Sequence, residues 1–225
     1  MNIKFEKSET YKNLARAFAG ECTAGARYQF LSKQCLNEGY NFLSNTVKTL
    51  AKNEMAHAKT FFDQIVNNSS KVVKNIDIEA GYPFKFGELC DHFKYTMEDE
   101  EMESKTIYPS FSQIARNEGF DDIADIFERV ASVENCHYML LKQIYDGLYN
   151  KTLYSSKTPI KWKCSNCGNE HTQKNAWKVC DLCSMPQGYV EVPFETGKTL
   201  KNCEVSDMDT KNLKIKNKCV CDECN

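Results

Sequence analysis

No apolar run in this chain approaches the roughly 20 residues of a membrane-spanning helix, so a span is excluded. The first residues, MNIKFEKSETYK, are too charged for a secretory signal. Arginine is scarce, four against 25 lysines, and no basic cluster is interleaved with aromatics, which argues against nucleic acid as a partner. What remains is the reading of a soluble, cytoplasmic protein. The net charge of -2 is small but uneven: residues 1–150 carry 17 basic and 22 acidic groups, and residues 151–225 carry 12 and 9. That difference gives the two parts a weak mutual attraction. Histidine is also rare, with four in 225 residues, and two of the four follow a glutamate by three residues.

Those two pairs are Glu54-x-x-His57 and Glu134-x-x-His137. The first lies within Leu43, Val47, Leu50, Glu54, His57, Phe61 and Ile65, and the second within Ile123, Phe127, Val130, Glu134, His137, Leu141, Ile144 and Leu148. Steps of three and four trace one face of a helix, so each pair interrupts a stripe meant for a core. Two more stripes carry acids: Leu14, Phe18, Glu21, Tyr28, Leu31, and then Leu89, Phe93, Thr96, Glu100, Glu103, Ile107, Phe111, Ile114. Five carboxylates and two imidazoles thus converge on one interior. An unpaired buried charge costs several kcal/mol, against a whole-domain stability of about 5–15 kcal/mol. Two bound metal ions would offset the charge.

The pattern predicts helices over residues 9–36, capped by Ser8, 41–67, 87–117 with a kink at Pro109, and 121–149. Between the second and third lie about twenty polar residues with Gly81 and Pro83, long enough to cross a bundle. Short, long and short connections imply a four-helix, ferritin-like topology with one crossover. A bundle of that type places one Glu on each of two helices and Glu-x-x-His on the other two, which Glu21, Glu100, Glu54/His57 and Glu134/His137 satisfy. Glu103 is one ligand more than the pattern needs.

After residue 149 the character changes. Residues 150–159 read as a linker, and 160–193 as a small domain holding Cys164-x-x-Cys167 and Cys180-x-x-Cys183. Eight of the twelve cysteines follow residue 160, and in a cytoplasmic chain such clustering indicates metal rather than disulfides. Two CxxC knuckles place four thiolates around one zinc or iron ion. The tail, 194–225, carries Cys203, Cys219, Cys221 and Cys224, and reads as disorder, a loose cover or a second metal site.

Taken in order, AFAGEC, NEMAHAK, EEMESKTIYP, VENCHY and the paired knuckles make residues 8–193 resemble the rubrerythrin family, a ferritin-like di-iron bundle followed by a rubredoxin-like iron domain. The resemblance implies a peroxidase that reduces hydrogen peroxide to water in an oxygen-sensitive cell. Its electrons would come from NADH through a separate reductase or a rubredoxin. It implies an oxo-bridged di-iron site with Glu54 and Glu134 as bridges, completed by Glu21, Glu100, Glu103, His57 and His137, with His57 and Glu103 exchanging as the oxidation state changes. The mononuclear iron would sit on Cys164, Cys167, Cys180 and Cys183 and pass electrons on one at a time. Tyr28 and Tyr108 match family tyrosines beside the site, and family members assemble head to tail as dimers or tetramers. Asp181 and Asn169 depart from the family pattern, where proline and an aromatic are common.

Blander readings apply elsewhere. Glu98, Asp99 and Glu101 read as surface acids, His92 as exposed, and His171 as structural or solvent-facing. Cys22, Cys35, Cys90 and Cys136 read as small buried residues, and Trp162 and Trp177 as the small domain's packing. From another functional class comes a ferritin-like ferroxidase that stores or detoxifies iron, which requires a hollow multimeric shell. With zinc on the four thiolates, the small domain would be a structural module.

Overall fold

The structure, a computed structural model, describes residues 3–195. The tail cysteines Cys203, Cys219, Cys221 and Cys224 lie outside the described residues. Five α-helices precede a small sheet: α1 Glu9–Asn37, α2 Asn41–Asn68, α3 Leu89–Met102, α4 Tyr108–Glu118 and α5 Asp121–Tyr149. Ser8 caps α1, its hydroxyl accepting from the Tyr11 N–H. Glu118, at the far end of α4, caps the same helix across space. Its carboxylate accepts from the backbone N–H of Glu9 at 2.9 Å and of Thr10 at 2.8 Å.

The third predicted helix is three pieces. Between α3 and α4 runs a π-helical segment, Glu103–Ile107, in which the Tyr108 N–H reaches back to the Glu103 carbonyl. Pro109 explains it, because proline has no N–H to give to the preceding turn and its ring would clash with the carbonyl four residues back. The wider turn accommodates both without ending the helix. α3, the π segment and α4 therefore act as one bundle member, and the fold is a four-helix ferritin-like bundle.

Apolar residues from every helix fill two clusters, one around Leu14, Phe61 and Phe127 and another around Leu31, Leu43, Phe93 and Leu141. The stripes read from the sequence are largely those the bundle buries, with Phe18, Ile107, Phe111, Ile114 and Leu148 only half-buried.

The small domain is a three-stranded antiparallel sheet in the order β2-β1-β3, with β1 Ser155–Cys164, β2 Glu170–Asn175 and β3 Val190–Glu191. β1 starts inside the segment read as a linker. Ser155 already pairs with Asn175, and a register shift before Ile160 hides the strand from any search for regular alternation. Trp162 is 1% exposed and packs with Ala176, Val190 and the half-buried Trp177.

This domain rests on the bundle end formed by the α1–α2 turn and the close of α5. Tyr40 and Tyr154 stack with centroids 6.5 Å apart, Phe42 meets Phe194, and Gln143 exchanges two hydrogen bonds with the backbone of Glu195. At Gly188 the approach is closest: a Cβ there would lie 1.6 Å from the Gly39 carbonyl oxygen, so only glycine fits.

Candidate metal centres

Inside the bundle, four helices bring six ionisable groups together. Two sets of four donors form: Glu21, Glu54, His57 and Glu134, and then Glu54, Glu100, Glu134 and His137, with the donor atoms of each set within 4.8 Å of one another. Glu54 and Glu134 belong to both sets, and each uses a different oxygen for each. His57 Nδ1 lies 2.8 Å from Glu134 Oε1 and 3.3 Å from Glu54 Oε2. His137 Nδ1 lies 2.7 Å from Glu134 Oε2 and 3.0 Å from Glu54 Oε1. The two Glu-x-x-His pairs thus build a nearly two-fold arrangement, with Glu21 closing one end and Glu100 the other.

The separations are short, yet the ligand atoms are not hydrogen-bonded to one another. Glu21 Oε2, both oxygens of Glu54 and Glu134, Glu100 Oε2 and the Nδ1 atoms of His57 and His137 are buried with no hydrogen-bond partner. Buried polar atoms are nearly always satisfied, so a cluster of orphans aimed at common points calls for cations. Hard carboxylate oxygens with one imidazole per set suit iron or another first-row metal ion. On this test the residues fit a di-metal centre.

The neighbouring side chains support that geometry. Tyr28 donates its hydroxyl proton to Glu100 and Tyr108 donates to Glu21, occupying in each case the oxygen that faces away from the shared points. Both rings are buried. Asn53, which the sequence reading missed, places its amide nitrogen 3.3 Å from His137 Nε2. With Nδ1 turned to a metal, Nε2 carries the proton, and the Asn53 amide rotated by half a turn accepts it through its oxygen. A small polar residue one position before a Glu-x-x-His motif is the signal that could have found it.

Electrostatics follow from the burial. Without metal, burial and then the charges of neighbouring acids push Glu100 well above the ordinary carboxyl range; Glu21 is raised too, chiefly by burial. Burial also works against the imidazolium of His57, but the Glu134, Glu21 and Glu54 carboxylates beside its Nδ1 outweigh it and take the ring up to about 12. Burial raises Glu54, yet the contacts from His137 and His57 win and bring it down to about 2. In the metal-free chain, a proton on His57 therefore offsets part of the charge that cations would.

Glu103 stands apart. It lies in neither set of four, is half-buried at the start of the π segment, and is pushed up to about 8 by burial and by the charges of Glu134 and Glu54. His57, its expected exchange partner, is inside the cluster.

Three expectations are corrected. His92 is 4% exposed rather than solvent-facing, with Nδ1 2.9 Å from Gln34 Oε1. It stands three residues after Leu89 and four before Thr96, on the buried face, and burial lowers its pKa. Asp99 is not a surface acid: it pairs with Arg27 of α1 at 2.6 Å and keeps 13% side-chain exposure. Neither partner could be assigned from one sequence, because the period of α3 does not say which residue of α1 faces it. Of the four bundle cysteines, Cys35 is fully buried, whereas Cys22, Cys90 and Cys136 are half-buried on helix flanks.

In the small domain Cys164, Cys167, Cys180 and Cys183 close into one cluster. Two cross-pairs, Cys164 with Cys183 and Cys167 with Cys180, have sulfurs 3.7 Å apart. A disulfide needs about 2.05 Å, while four thiolates about 2.3 Å from a central ion lie about 3.8 Å apart at tetrahedral angles. The cluster fits an ion, not bridges. Although burial opposes it, backbone N–H groups of Cys183 and Leu182 hold the Cys180 thiol down to about 6. Gly168, with φ of 77°, makes the left-handed turn that closes the first knuckle. His171 and Asp181 pair at 3.2 Å, and Asn169 bridges Asp181 and the Cys180 sulfur, so the two departures from the family pattern contact each other.

The sequence profile of the rubrerythrin family matches residues 12–145. A rubrerythrin of Clostridium perfringens is 33% identical over 190 residues, covering 84% of this chain and 96% of that protein. This chain belongs to the rubrerythrin family. A second rubrerythrin, from Porphyromonas gingivalis, is 34% identical over 201 residues, covering 87% and 95%. Among solved structures, fully reduced nigerythrin aligns with a TM-score of 0.55 at 20% identity, over 84% of this chain and 93% of the other. A Mycobacterium tuberculosis bacterioferritin aligns with the same score and identity over 64% and 87%. At such identity these two speak for the fold, with the bacterioferritin spanning less of the chain than nigerythrin does. The rubrerythrin architecture is thus present in both parts, a ferritin-like bundle and a rubredoxin-like four-cysteine domain. No helix among the described residues is long and apolar enough to cross a membrane.

Proposed function

We propose that this rubrerythrin-family protein is a cytoplasmic di-iron peroxidase that reduces hydrogen peroxide to water. The observation that carries the reading is the sharing of Glu54 and Glu134, each offering one oxygen to each of two donor sets, beside a separate four-thiolate site in the same chain. Bound in the bundle, a ferrous pair supplies the two electrons that reductive O–O cleavage requires. With two protons, one peroxide then gives two waters.

The chain's residues set the conditions. Glu54 and Glu134 would hold two ions between them, with Glu21 and Glu100 closing the ends and His57 and His137 completing the donor sets. The phenol protons of Tyr28 and Tyr108 occupy the outer carboxylate oxygens, which fixes the direction of the remaining ones. Phe61 and Phe127, both fully buried, pack against the Tyr108 ring and hold it in place. Cys164, Cys167, Cys180 and Cys183 would hold an iron, which supplies one-electron chemistry, with an NADH-dependent reductase or a rubredoxin as the electron source. The chains work as head-to-tail dimers or tetramers. A ferroxidase role would use the bundle alone and leave the docked four-thiolate domain without a task.

Stopped-flow reoxidation of the fully reduced protein tests the proposal. Peroxide is expected to reoxidise it much faster than dioxygen does. A comparable or slower reaction with peroxide overturns the reading.

A further inference from the structure

A cavity of about 550 Å³ opens between α1, the π segment and the crossover residues 80–85, and Glu103 and Tyr108 form part of its wall. Tyr108 in turn donates to Glu21, so a wall residue of the cavity touches a side chain of the donor cluster. Its remaining walls are mainly apolar, with Ala17 and Gly20 of α1, Pro83 of the crossover, and Ile107 and Phe111 beyond the π turn. Hydrogen peroxide needs no such room: two oxygen atoms occupy about the volume of two waters, ~60 Å³. The two cations at the rim are both engaged. Arg16 pairs with Glu9 and donates to the Glu79 carbonyl, and Lys85 pairs with Asp99 at 3.3 Å. The chamber therefore offers an apolar wall and no unpaired cation for an anionic tail.

We infer that this chamber admits uncharged organic hydroperoxides, seating the alkyl or aryl group on Ala17, Ile107 and Phe111 with the peroxide end toward Glu103 and Tyr108. The inference rests on the peroxidase reading and extends its substrate class. In the reaction, ROOH takes two electrons from the same donor chain and two protons. The O–O bond breaks, the carbon-bound oxygen leaves as ROH and the terminal oxygen as water. The crossover forms the outer wall of the chamber, tied down by the Tyr82 hydroxyl, which donates to the Arg16 carbonyl at 3.1 Å.

The test uses the metal-loaded full chain, wild type and two variants that fill the mouth from exposed positions, Thr106→Trp and Ser110→Trp. The non-reactive probe is 2-phenyl-2-propanol, whose methyl-proton relaxation is enhanced by nearby paramagnetic iron. The substrates are cumene hydroperoxide and hydrogen peroxide. Enhanced relaxation is expected with wild type and its loss in both variants. The ratio of kcat/KM for cumene hydroperoxide to that for hydrogen peroxide is expected to fall about tenfold or more in the variants, the scale on which a hydrophobic pocket discriminates. Reduction of hydrogen peroxide but not of cumene hydroperoxide, without relaxation enhancement, overturns the inference and leaves the peroxidase reading standing. If the wild type reduces neither peroxide, the peroxidase reading fails, and the relaxation of the alcohol still decides whether the chamber binds its class of ligand.

Discussion

At the scale of single residues, the protein is organised by acids placed where leucines would otherwise stand. Glu54 and Glu134 matter most because each serves both donor sets. Glu134→Ala is expected to lower bundle metal content by both ions, whereas Glu100→Ala removes a donor from one set only; metal analysis of the purified variants distinguishes the two. Asn53→Leu leaves His137 Nε2 without its partner and is expected to weaken metal binding by about 10- to 100-fold, read by competition with a chelator.

Protonation gives a further check. In the metal-free chain His57 is held at about 12, so its ring carries a proton near neutral pH, and burial moves Glu21 and Glu100 toward the protonated form. Ligation needs neutral imidazole and ionised carboxylate, so loading expels protons and affinity rises with pH. Calorimetric metal titrations in buffers of different ionisation enthalpy should show that release, and heats independent of buffer would contradict it. The clustered donors themselves are legible in the sequence because an acid inside an apolar stripe is a local signal. Asn53, His92 and Asp99 are not, since their roles depend on which neighbouring helix supplies the partner.

At the scale of elements, α1, α2 and α5 follow their sequence periods closely, and their ends lie within a residue or so of expectation. The third member of the bundle does not, because Pro109 is resolved by a π turn rather than by a simple kink. That turn places Glu103 at the edge of the site and opens the chamber beside it. A period of 3.6 carries no sign of where one extra residue enters a turn. The cross-chain cap is equally silent in the sequence: Glu118 holds the first N–H groups of α1 from 108 and 109 residues away. Burial raises its pKa, but hydrogen bonds from Thr10 and from the Glu9 and Thr10 backbone lower it overall. A lowered carboxyl contributes stability above its unfolded pKa and loses it as pH falls through the folded one. Glu118→Gln is therefore expected to cost ~1 kcal/mol near pH 7, with the difference from wild type shrinking in acid, as read from urea unfolding.

At the scale of the whole molecule, the four-cysteine domain is not a loose appendage to the bundle. It is seated by the Tyr40–Tyr154 stack and by the contact of Gly188 with Gly39. The knuckles announced a metal site in the sequence, but the seat could not be read there. Its glycines are 149 positions apart, and β1 begins in residues that lack strand periodicity. Gly188→Ala must shift one backbone away from the other, and faster amide exchange at Leu153 and Tyr154 is expected while both metal sites stay loaded. Unchanged exchange would place the seat elsewhere.

The account depends above all on two ions sharing Glu54 and Glu134. Anomalous diffraction at the iron absorption edge, on crystals of the iron-loaded full chain, tests that most directly. Two peaks flanked by Glu54 and Glu134, with a third among Cys164, Cys167, Cys180 and Cys183, are the predicted result. A single peak in the bundle, or none, would contradict the account.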